Sequence, residues 1–270
     1  MTLPIDLVLV RHGQSEGNLA KRRSEGGDDS AYTDEFLNRH SASFRLTKLG
    51  RRQTQRTSEF LRNEFYKDGV GFDRLSTSDY IRAIETSGYL QLPNAEWLTD
   101  FYLTERDWGE LDIYSENERR KKFSAELRRR EVEPFFWRPP NGESFAQLCL
   151  RVDRVLDTLH RTVSKKPKLL VCHGEVIRAF QVRIERLSQA RFKELIFSKK
   201  SEDRIHNCQV VHYTRRDPDS KKIFPYAGWV RWIRPTDTPI TTSGWREIVR
   251  PRYSNADLLE MANRIPIMVE

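Results

Sequence analysis

The chain has 270 residues, of which 37% are hydrophobic and 32% are charged, and its formal net charge is +8. This length can bury the core of one large domain, and the charged fraction requires a densely charged surface. The longest apolar runs have the length of strands, far short of the ~20 residues of a membrane-spanning helix, so the sequence predicts no such helix.

The three cysteines, Cys149, Cys172 and Cys208, lack metal-ligand spacing and lie in apolar or strand-like contexts. We therefore expect buried free thiols in a reducing compartment. The first predicted strand begins within a few residues of Met1, which leaves no room for a signal peptide. Together these features predict a cytoplasmic protein.

The positive charge invites a nucleic-acid-binding interpretation, which the distribution of charges does not favour. Glutamates interleave with the two middle basic clusters, as expected for ion pairs along solvated helix faces. Basic residues near a site would also attract an anionic substrate. The main clusters are Lys21–Arg23, Arg119–Lys122, Arg128–Arg130 and Lys199–Lys200.

The first predicted element is a buried strand at Ile5–Val10, which ends abruptly in Arg11, His12 and Gly13. The carboxyl ends of strands are where open α/β sheets bind ligands. Arg11 can hold an oxyanion through two parallel N–H bonds, and Gly13 lets the backbone pass close to it. His12 is then placed to act as a nucleophile or a base.

The segment from about residue 19 to 46 is long, polar and glycine-containing. Loops of this length are usually lids, binding loops or disordered inserts, and the sequence leaves these alternatives open. Because the segment leaves the His12 loop directly, we expect it to lie over or beside the site. Its cationic and aromatic residues, which would contact both charge and an apolar substrate body, are Lys21, Arg22, Arg23, Arg39, Tyr32, Phe36 and Phe44.

Strands and helices then alternate along the chain. A second strand end leads into a helix that carries Arg82 about one turn in, and a third delivers His173 and Gly174. Helices are predicted at Thr47–Tyr66, at Tyr80–Leu90, within Glu116–Arg130, at Ser144–Val163 and from Val176, and strands at Arg74–Thr77, Leu169–Cys172, Asn207–Tyr213 and Ala227–Arg234.

This alternation predicts the α/β class, as a three-layer α/β/α sandwich with a mostly parallel central sheet. The strand ends would then bring two arginines and two histidines to one edge of the sheet. Fixed cations and imidazoles in that arrangement suit a dianionic phosphoryl group.

We predict one catalytic domain over residues 1–215 and a C-terminal extension over residues 216–270. A strong turn at Arg215–Lys222 separates the last two predicted strands. The final forty residues include Trp245, Tyr253 and Leu258–Leu259, which are apolar enough to pack on the domain.

Five motifs in fixed order resemble the histidine phosphatase superfamily, in its phosphoglycerate-mutase-like branch, over roughly residues 5–215. The resemblance implies the same sandwich fold and a phosphomonoester hydrolase that acts on a small phosphorylated metabolite or nucleotide-like substrate. The motifs are Arg11-His12-Gly13 with Asn18, Ser76–Thr86 with Arg82, Leu103–Gly109 with Glu105, Asn141–Ser144, and Cys172–Gly174.

The resemblance also implies roles for these residues. His12 would attack phosphorus and form a phosphohistidine, and Glu105 would protonate the leaving oxygen. No cofactor is implied, and activity without a metal ion is expected because cations of the chain neutralise the phosphoryl charge. The phosphoryl-binding residues would be Arg11, Gly13, Asn18, Arg82, His173 and Gly174.

Two of these assignments have alternatives in the sequence itself. Asp107 is a second candidate for the proton donor, whereas Glu175 better suits the start of a helix. For Arg82 the alternative is a helix salt bridge with Glu85 or Asp79.

Other functions also stay open. A mutase would return the phosphoryl group to a second hydroxyl, but the family's mutases carry an arginine-rich, proline-ending segment, and Glu116–Pro134 lacks that pattern. A different class is a phosphate- or nucleic-acid-binding module with a vestigial site. The sequence does not indicate the alcohol half of the substrate or the oligomeric state.

Overall fold

The computed structural model describes residues 3–67, 69–162 and 166–269. Eight strands occur in these ranges: β1 (Asp6–Arg11), β2 (Arg74–Thr77), β3 (Trp97–Thr99), β4 (Lys168–Cys172), β5 (Val210–Thr214), β6 (Trp229–Arg234), β7 (Thr241–Thr242) and β8 (Arg246–Glu247).

Ten α-helices accompany the strands in the described part of the chain. They are α1 (Glu16–Glu25), α2 (Asp34–Leu37), α3 (Lys48–Phe65), α4 (Ile81–Leu90), α5 (Glu116–Lys122), α6 (Ser124–Val132), α7 (Phe145–Arg161), α8 (Gly174–Glu185), α9 (Gln189–Phe197) and α10 (Asn255–Asn263).

All of these strands form a single sheet, in the order β3-β2-β4-β1-β5-β6-β7, with β8 also paired to β6. The four strands β3, β2, β4 and β1 run parallel to one another. From β1 to β7 the pairing is antiparallel, and β8 pairs with β6 in the same way. The parallel half therefore places the ends of β1, β2 and β4 at one edge.

The central strands are apolar on both faces because helices cover both. Leu7 and Leu9 pack against α7 and α8, whereas Val8 and Val10 pack against α3 and α4. Successive residues of a strand point to opposite faces, so β1 contributes to two separate hydrophobic clusters. This arrangement confirms the predicted three-layer α/β/α sandwich.

Helix α7 follows the amphipathic pattern that predicted it. Ser144 caps its first turn by accepting a hydrogen bond from the Gln147 N–H at 3.1 Å, and the Gln147 side-chain oxygen accepts one from the Ser144 N–H at 2.8 Å. This reciprocal pair satisfies two of the free N–H groups at the start of the helix. The predicted last residue, Val163, lies outside the described residues. The stripe of apolar side chains is buried as predicted: Phe145, Leu148, Val152, Val155, Leu156 and Leu159.

The segment from 19 to 46 differs from the predicted long loop. It is occupied by α1, by α2 and by a 3₁₀ turn at Ser41–Ser43. Ser15 caps α1 together with Asn18, but only Ala20 and Ser24 within α1 are buried. Because α1 has almost no apolar stripe, hydrophobic periodicity did not reveal it.

The region after residue 215 divides into two parts. β6 joins the sheet beside β5, and Trp245 and Ile248 pack near it, Trp245 through an edge contact with the His212 ring. Every residue from 251 to 269 is exposed, so the expectation that Tyr253 and Leu258–Leu259 pack on the domain was wrong. The large apolar side chains of α10, Leu258, Leu259 and Met261, are all exposed, and apolar residues are common on protein surfaces, so their presence alone does not establish burial. The boundary at residue 215 stays a prediction.

All three cysteines are free and buried, as predicted from their apolar contexts. Burial raises the thiol pKa of Cys149 to about 12 and that of Cys208 to about 11. These thiols are therefore poor nucleophiles near neutral pH. Among the helices of the described ranges, none is both long enough and apolar enough to cross a bilayer.

Candidate active site

The register of the parallel strands aligns the residues that follow them. Arg11 pairs with Cys172 across β1 and β4, and Thr77 pairs with Val171 across β2 and β4. The residues just beyond these pairs, His12, Ser78 and His173, therefore emerge side by side at one edge of the sheet.

His12 is 1% exposed, and both of its ring nitrogens have a partner. Nδ1 lies 2.7 Å from the Gly13 carbonyl oxygen, and Nε2 accepts a hydrogen bond from Arg82 Nε at 3.2 Å. A carbonyl oxygen only accepts, so Nδ1 carries the ring proton. The lone pair of His12 is consequently on Nε2.

The surroundings of His12 keep its ring neutral. Burial, followed by the charges of Arg82 and Arg11, lowers its pKa well below the ordinary value of 6.5. A neutral imidazole is the nucleophilic form, so His12 is ready to react without losing a proton first.

His173 lies directly beside His12, with the ring centroids 5.0 Å apart. Its Nε2 is 2.8 Å from the Ser78 hydroxyl, which itself accepts a hydrogen bond from the Tyr80 N–H at 3.3 Å. The Ser78 hydroxyl can donate its own proton to His173 Nε2, and we assign this arrangement, in which the imidazole proton lies on Nδ1.

Two donors at this edge lack partners. His173 Nδ1 and Arg11 Nε are buried without a hydrogen-bond partner among the described residues. Arg11 is otherwise fixed, because its Nη1 donates to the Ile205 carbonyl oxygen at 2.5 Å. Unsatisfied buried donors are costly, and an oxyanion beside His12 would satisfy them.

Arg82 does not make the helix salt bridge that was its alternative. Its guanidinium contacts His12 and the Ser41 carbonyl oxygen, the latter at 2.7 Å, and lies over the Tyr80 ring. Glu85 instead accepts hydrogen bonds from Arg45, at 2.5 Å to Nη2. Arg82 therefore lies directly at His12 and has no carboxylate within ion-pair distance in the described part of the chain.

Asn18 lies at the start of α1 beside the His12 loop. Its Oδ1 accepts hydrogen bonds from the Ser15 N–H at 3.3 Å and from Asn207 Nδ2 at 2.9 Å. Asn207 also donates to the His12 carbonyl oxygen at 3.1 Å. With its oxygen occupied, Asn18 has its amide N–H₂ left for the site.

The two glycines beside the histidines have packing roles. The Gly13 N–H donates to the Thr86 hydroxyl at 3.0 Å, and a Cβ at Gly13 would lie 2.5 Å from the Gly50 carbonyl oxygen. Gly13 thus lets the loop approach α3 closely. Its N–H is already hydrogen-bonded to Thr86, so it is not free to bind a phosphoryl group, contrary to the role predicted for Gly13. Gly174 begins α8 against the Arg11 side chain.

Glu105 and Asp107, the two candidate acids, have different environments. Burial first, and the charge of Glu175 second, raise the pKa of Glu105 to about 7, against the opposing effect of Arg82 and Arg11. Asp107 is exposed, and its carboxylate accepts the Gly109 N–H at 2.7 Å. Of the two, only Glu105 is partly buried and acted on by the arginines at His12, which favours it as the proton donor.

Two further arginines hold the Glu105 segment in place. Arg106 is 4% exposed, donates to the Glu143 and Trp137 carbonyl oxygens and pairs with Glu175 at 3.3 Å. Arg151 makes a bidentate pair with Glu143 at 2.7 and 2.8 Å. Glu175 therefore has a structural partner at the start of α8, consistent with the helix-start prediction.

A cavity of about 650 Å³ opens above these groups. Its floor is formed by His12 and Arg82, and Arg11 and His173 lie next to the floor without lining the cavity. We use the name rim for the outer lining residues Lys21, Tyr32, Phe36, Arg119 and Arg138. The segment 19–46 contributes the first three of these, so it lies beside the site as expected.

No group of three or more histidine, cysteine, aspartate or glutamate side chains suited to a metal ion occurs within residues 3–67, 69–162 and 166–269. The charged groups around His12 are arginines and one carboxylate, a set that matches an anion better than a cation.

Two residues that organise the site were not identified from the sequence. Ser78 lies inside a motif already singled out, so its position directly after β2 was the available signal. Asn207 lies 195 positions from His12 and carries no local pattern. Only the pairing of β5 with β1 brings it to the His12 loop.

Comparison with protein families gives a match over most of the chain. The model described as histidine phosphatase superfamily (branch 1) matches residues 7–217. The 2,3-bisphosphoglycerate-dependent phosphoglycerate mutase of Rhizobium etli is 30% identical over 188 residues, which covers 67% of this chain and 81% of that protein.

Human 6-phosphofructo-2-kinase/fructose-2,6-bisphosphatase 3 is 29% identical over 175 residues, which covers 65% of this chain. The chain spans only 28% of the length of that relative. Among solved structures, the alpha-ribazole phosphatase of Shigella flexneri has a TM-score of 0.60 at 19% identity, covering 82% of this chain and 96% of that one.

A mycobacterial glucosyl-3-phosphoglycerate phosphatase also has a TM-score of 0.60, at 21% identity, covering 77% of this chain and 92% of that one. At such identities the structural likeness establishes the fold alone.

Proposed function

The chain belongs to the histidine phosphatase superfamily, as its five motifs predicted, and from this premise we propose that it hydrolyses phosphomonoesters through a phosphohistidine at His12. The observation that carries the proposal is the state of His12. Its ring is buried and neutral, it lines the cavity, and its Nε2 lone pair accepts a hydrogen bond from Arg82 Nε at 3.2 Å.

In the first step, the His12 Nε2 lone pair forms a bond to phosphorus as the bond from phosphorus to the ester oxygen breaks. Arg82 exchanges its hydrogen bond with His12 for one with a phosphoryl oxygen, and the unpartnered donors Arg11 Nε and His173 Nδ1 supply two more. Asn18 assists with its amide N–H₂. Such fixed donors stabilise the charge on the transferring group.

Glu105 supplies the proton in this step. A carboxyl group with a pKa of about 7 is partly protonated at neutral pH, so it can protonate the leaving oxygen. The resulting carboxylate can then take a proton from the water that attacks the phosphohistidine. The products are the free alcohol and inorganic phosphate, and His12 returns to its neutral form.

The proposal needs no metal ion, because the guanidinium groups of Arg11 and Arg82 compensate the phosphoryl charge and the neutral His173 adds a hydrogen bond. We expect hydrolysis to persist after exhaustive treatment with EDTA. Loss of activity that only a divalent cation restores would contradict this part of the proposal.

A phosphomutase is the second candidate, favoured by the 30% sequence identity to a phosphoglycerate mutase over 188 residues. The same phosphohistidine would then return its phosphoryl group to another hydroxyl. Incubation with 3-phosphoglycerate separates the two activities, since a hydrolase releases inorganic phosphate and a mutase accumulates the isomeric ester.

The central experiment is to trap the intermediate. Wild type and the His12→Ala variant are mixed with ³²P-labelled substrate and quenched in alkali, which preserves phosphohistidine. We expect label on the wild-type chain at His12, and neither label nor turnover in the variant. Label on a serine or an aspartate would refute the assignment.

A further inference from the structure

A tight turn, residues 206–209, lies against the end of β1. The Gln209 N–H donates to the His206 carbonyl oxygen at 3.1 Å, and the Gln209 side-chain oxygen accepts the His206 N–H at 2.7 Å. The turn is joined to β1 because the Arg11 N–H donates to the Gln209 carbonyl oxygen at 3.1 Å. These bonds hold the backbone of Asn207 in a fixed place behind the cavity floor.

The side chain of Asn207 has its orientation set by the backbone of His12. Asn207 is 9% exposed, and its Nδ2 donates to the His12 carbonyl oxygen at 3.1 Å and to Asn18 Oδ1 at 2.9 Å. A backbone carbonyl oxygen only accepts hydrogen bonds, so the atom of Asn207 that faces it must be the nitrogen. The Asn207 amide therefore presents a donor to Asn18.

The Asn18 amide has its orientation set by two donors. The Ser15 N–H, which can only donate, lies 3.3 Å from Asn18 Oδ1, and the Asn207 nitrogen contacts the same oxygen. Asn18 lines the cavity, and its Nδ2 has no partner among the described residues. The N–H₂ group of Asn18 is therefore the part that a ligand in the cavity can use.

Of these two bonds to Asn18, the one from Asn207 is the stronger. A distance of 2.9 Å is typical of an N–H···O bond, whereas 3.3 Å, the distance to the Ser15 nitrogen, lies beyond the usual range. The last side-chain torsion of asparagine is soft and roughly two-fold, so a weakly held amide can turn over. The Asn18 oxygen would then face the cavity and repel phosphoryl oxygens.

We propose that Asn207 is a positioning residue, whose amide nitrogen keeps the Asn18 N–H₂ group directed at the phosphoryl group. Asn207 does not line the cavity, so it acts through Asn18 and not on the substrate. The proposal rests on the proposed function, because it takes the cavity floor at His12 as the place of the phosphoryl group.

The test is a double-mutant cycle on the binding of inorganic phosphate, measured by calorimetry. Asn207→Leu keeps the branched shape of the side chain and removes the donor, whereas Asn18→Ala removes the group on which Asn207 acts. Each single change should weaken binding about fivefold to tenfold, the size of one hydrogen bond. The double variant should bind at most about twofold more weakly than Asn18→Ala alone, because the two residues act as a unit.

The matched control is Gln181→Leu. It removes an equally buried amide from α8, where the described hydrogen bond of that amide is with Arg178. Phosphate binding should be unchanged in this control. If Asn207→Leu does not fold, Asn207→Asp gives the same test, since it keeps the shape of the side chain and offers only acceptors to Asn18 when ionised.

NMR of the side-chain amides adds a readout that a general loss of stability would not produce. In the wild type, phosphate should shift the ¹⁵N and ¹H resonances of the Asn18 N–H₂ group, and this shift should disappear in the folded Asn207 variant. Additive losses in the cycle, or an Asn18 shift that survives without the Asn207 donor, would overturn the proposal.

Turnover of 4-nitrophenyl phosphate separates this proposal from the proposed function. His12-dependent hydrolysis together with additive losses would refute the role of Asn207 and leave the hydrolase in place. Coupled phosphate binding without His12-dependent hydrolysis would support the role of Asn207 and refute the hydrolase.

Discussion

The floor of the cavity comes from the end of β1 and the first turn of α4, whereas its rim comes from α1, α2, α5 and the loops around them. His12 at the floor and His173 beside it are almost fully buried, and each ring has a hydrogen-bonding partner. At the rim, Lys21 has no hydrogen-bonding partner among the described residues, and Tyr32 is half-exposed. Backbone hydrogen bonds of a sheet position side chains more rigidly than a short helix on the surface does.

This difference indicates that the floor and the rim have separate functions. Phosphoryl transfer requires positioned donors and a neutral nucleophile, which the floor provides for any phosphomonoester. Recognition of the alcohol half is then left to the rim. Changes at the floor should therefore reduce the rate with every substrate, whereas changes at the rim should depend on the substrate.

The largest effect is expected for the acid. Glu105→Gln should slow hydrolysis of an alkyl phosphate by about 10²–10⁴-fold, the usual contribution of a general acid. 4-Nitrophenyl phosphate should be affected much less, because nitrophenolate leaves without a proton. Asp107→Asn is the matched control in steady-state assays. If Asp107→Asn, and not Glu105→Gln, slows the alkyl phosphate much more than 4-nitrophenyl phosphate, the acid is Asp107.

The pH dependence tests the same group in another way. Glu105 is the competent acid only when protonated, a form that predominates below its pKa of about 7 and is lost above it. kcat/KM for an alkyl phosphate should therefore fall about tenfold per pH unit above 7. Glu105→Gln should abolish this alkaline limb.

His12 should add no acidic limb near pH 6.5. Its pKa is lowered well below that value, so the ring stays neutral there. NMR titration of the His12 ring decides the origin of any such limb. An imidazole that protonates near pH 6.5 would contradict the neutral state of His12, whereas a limb without this titration would belong to the substrate.

A smaller effect is expected when Ser78 loses its hydroxyl. Ser78→Ala removes the donor that holds the proton of His173 on Nδ1, so both tautomers become populated. We expect kcat to fall by about fivefold to tenfold, the size of one hydrogen bond. ¹⁵N NMR of the imidazole rings should report the change of tautomer.

Ser87→Ala is the matched control for this change, because Ser87 is equally buried but donates only within α4, to the Ala83 carbonyl oxygen. An unaltered His173 tautomer in Ser78→Ala would show that the hydroxyl does not set it.

The smallest effect is expected at the aromatic part of the rim. The Tyr32 ring packs edge-on against Phe36, which stacks on Phe44, so the three rings fix this wall of the cavity. Tyr32→Ala should raise KM for the physiological substrate by about threefold to tenfold and leave 4-nitrophenyl phosphate nearly unaffected. Tyr32→Phe keeps the ring and serves as the control; equal kinetics of all three proteins would mean that this segment makes no substrate contact.

The floor was predictable from the sequence, whereas for the rim only the position of segment 19–46 beside the site was predictable. Apolar runs that end in Arg11-His12 and in His173 are local patterns, and parallel pairing then brings them together without further information. The rim depends on α1, which is too polar to be recognised as a helix from hydrophobic periodicity. It also depends on how α5 packs against α1, which is a tertiary contact. Asn207 shows the same limit at the floor, since only the tertiary fold brings it to His12.

The pairing of β1 has a consequence for how the chain folds. Leu7 pairs with Lys168 on one side and with Tyr213 on the other. The strand that precedes His12 is therefore synthesised early, whereas both of its partner strands are synthesised late. At ordinary rates of translation, both edges of this apolar strand wait roughly ten to forty seconds for their partners. Contacts so distant in sequence slow folding, and unpaired edges favour aggregation. The reactive edge of the sheet therefore assembles only after most of the chain has left the ribosome, and a chaperone that shields β1 should raise the yield of active protein.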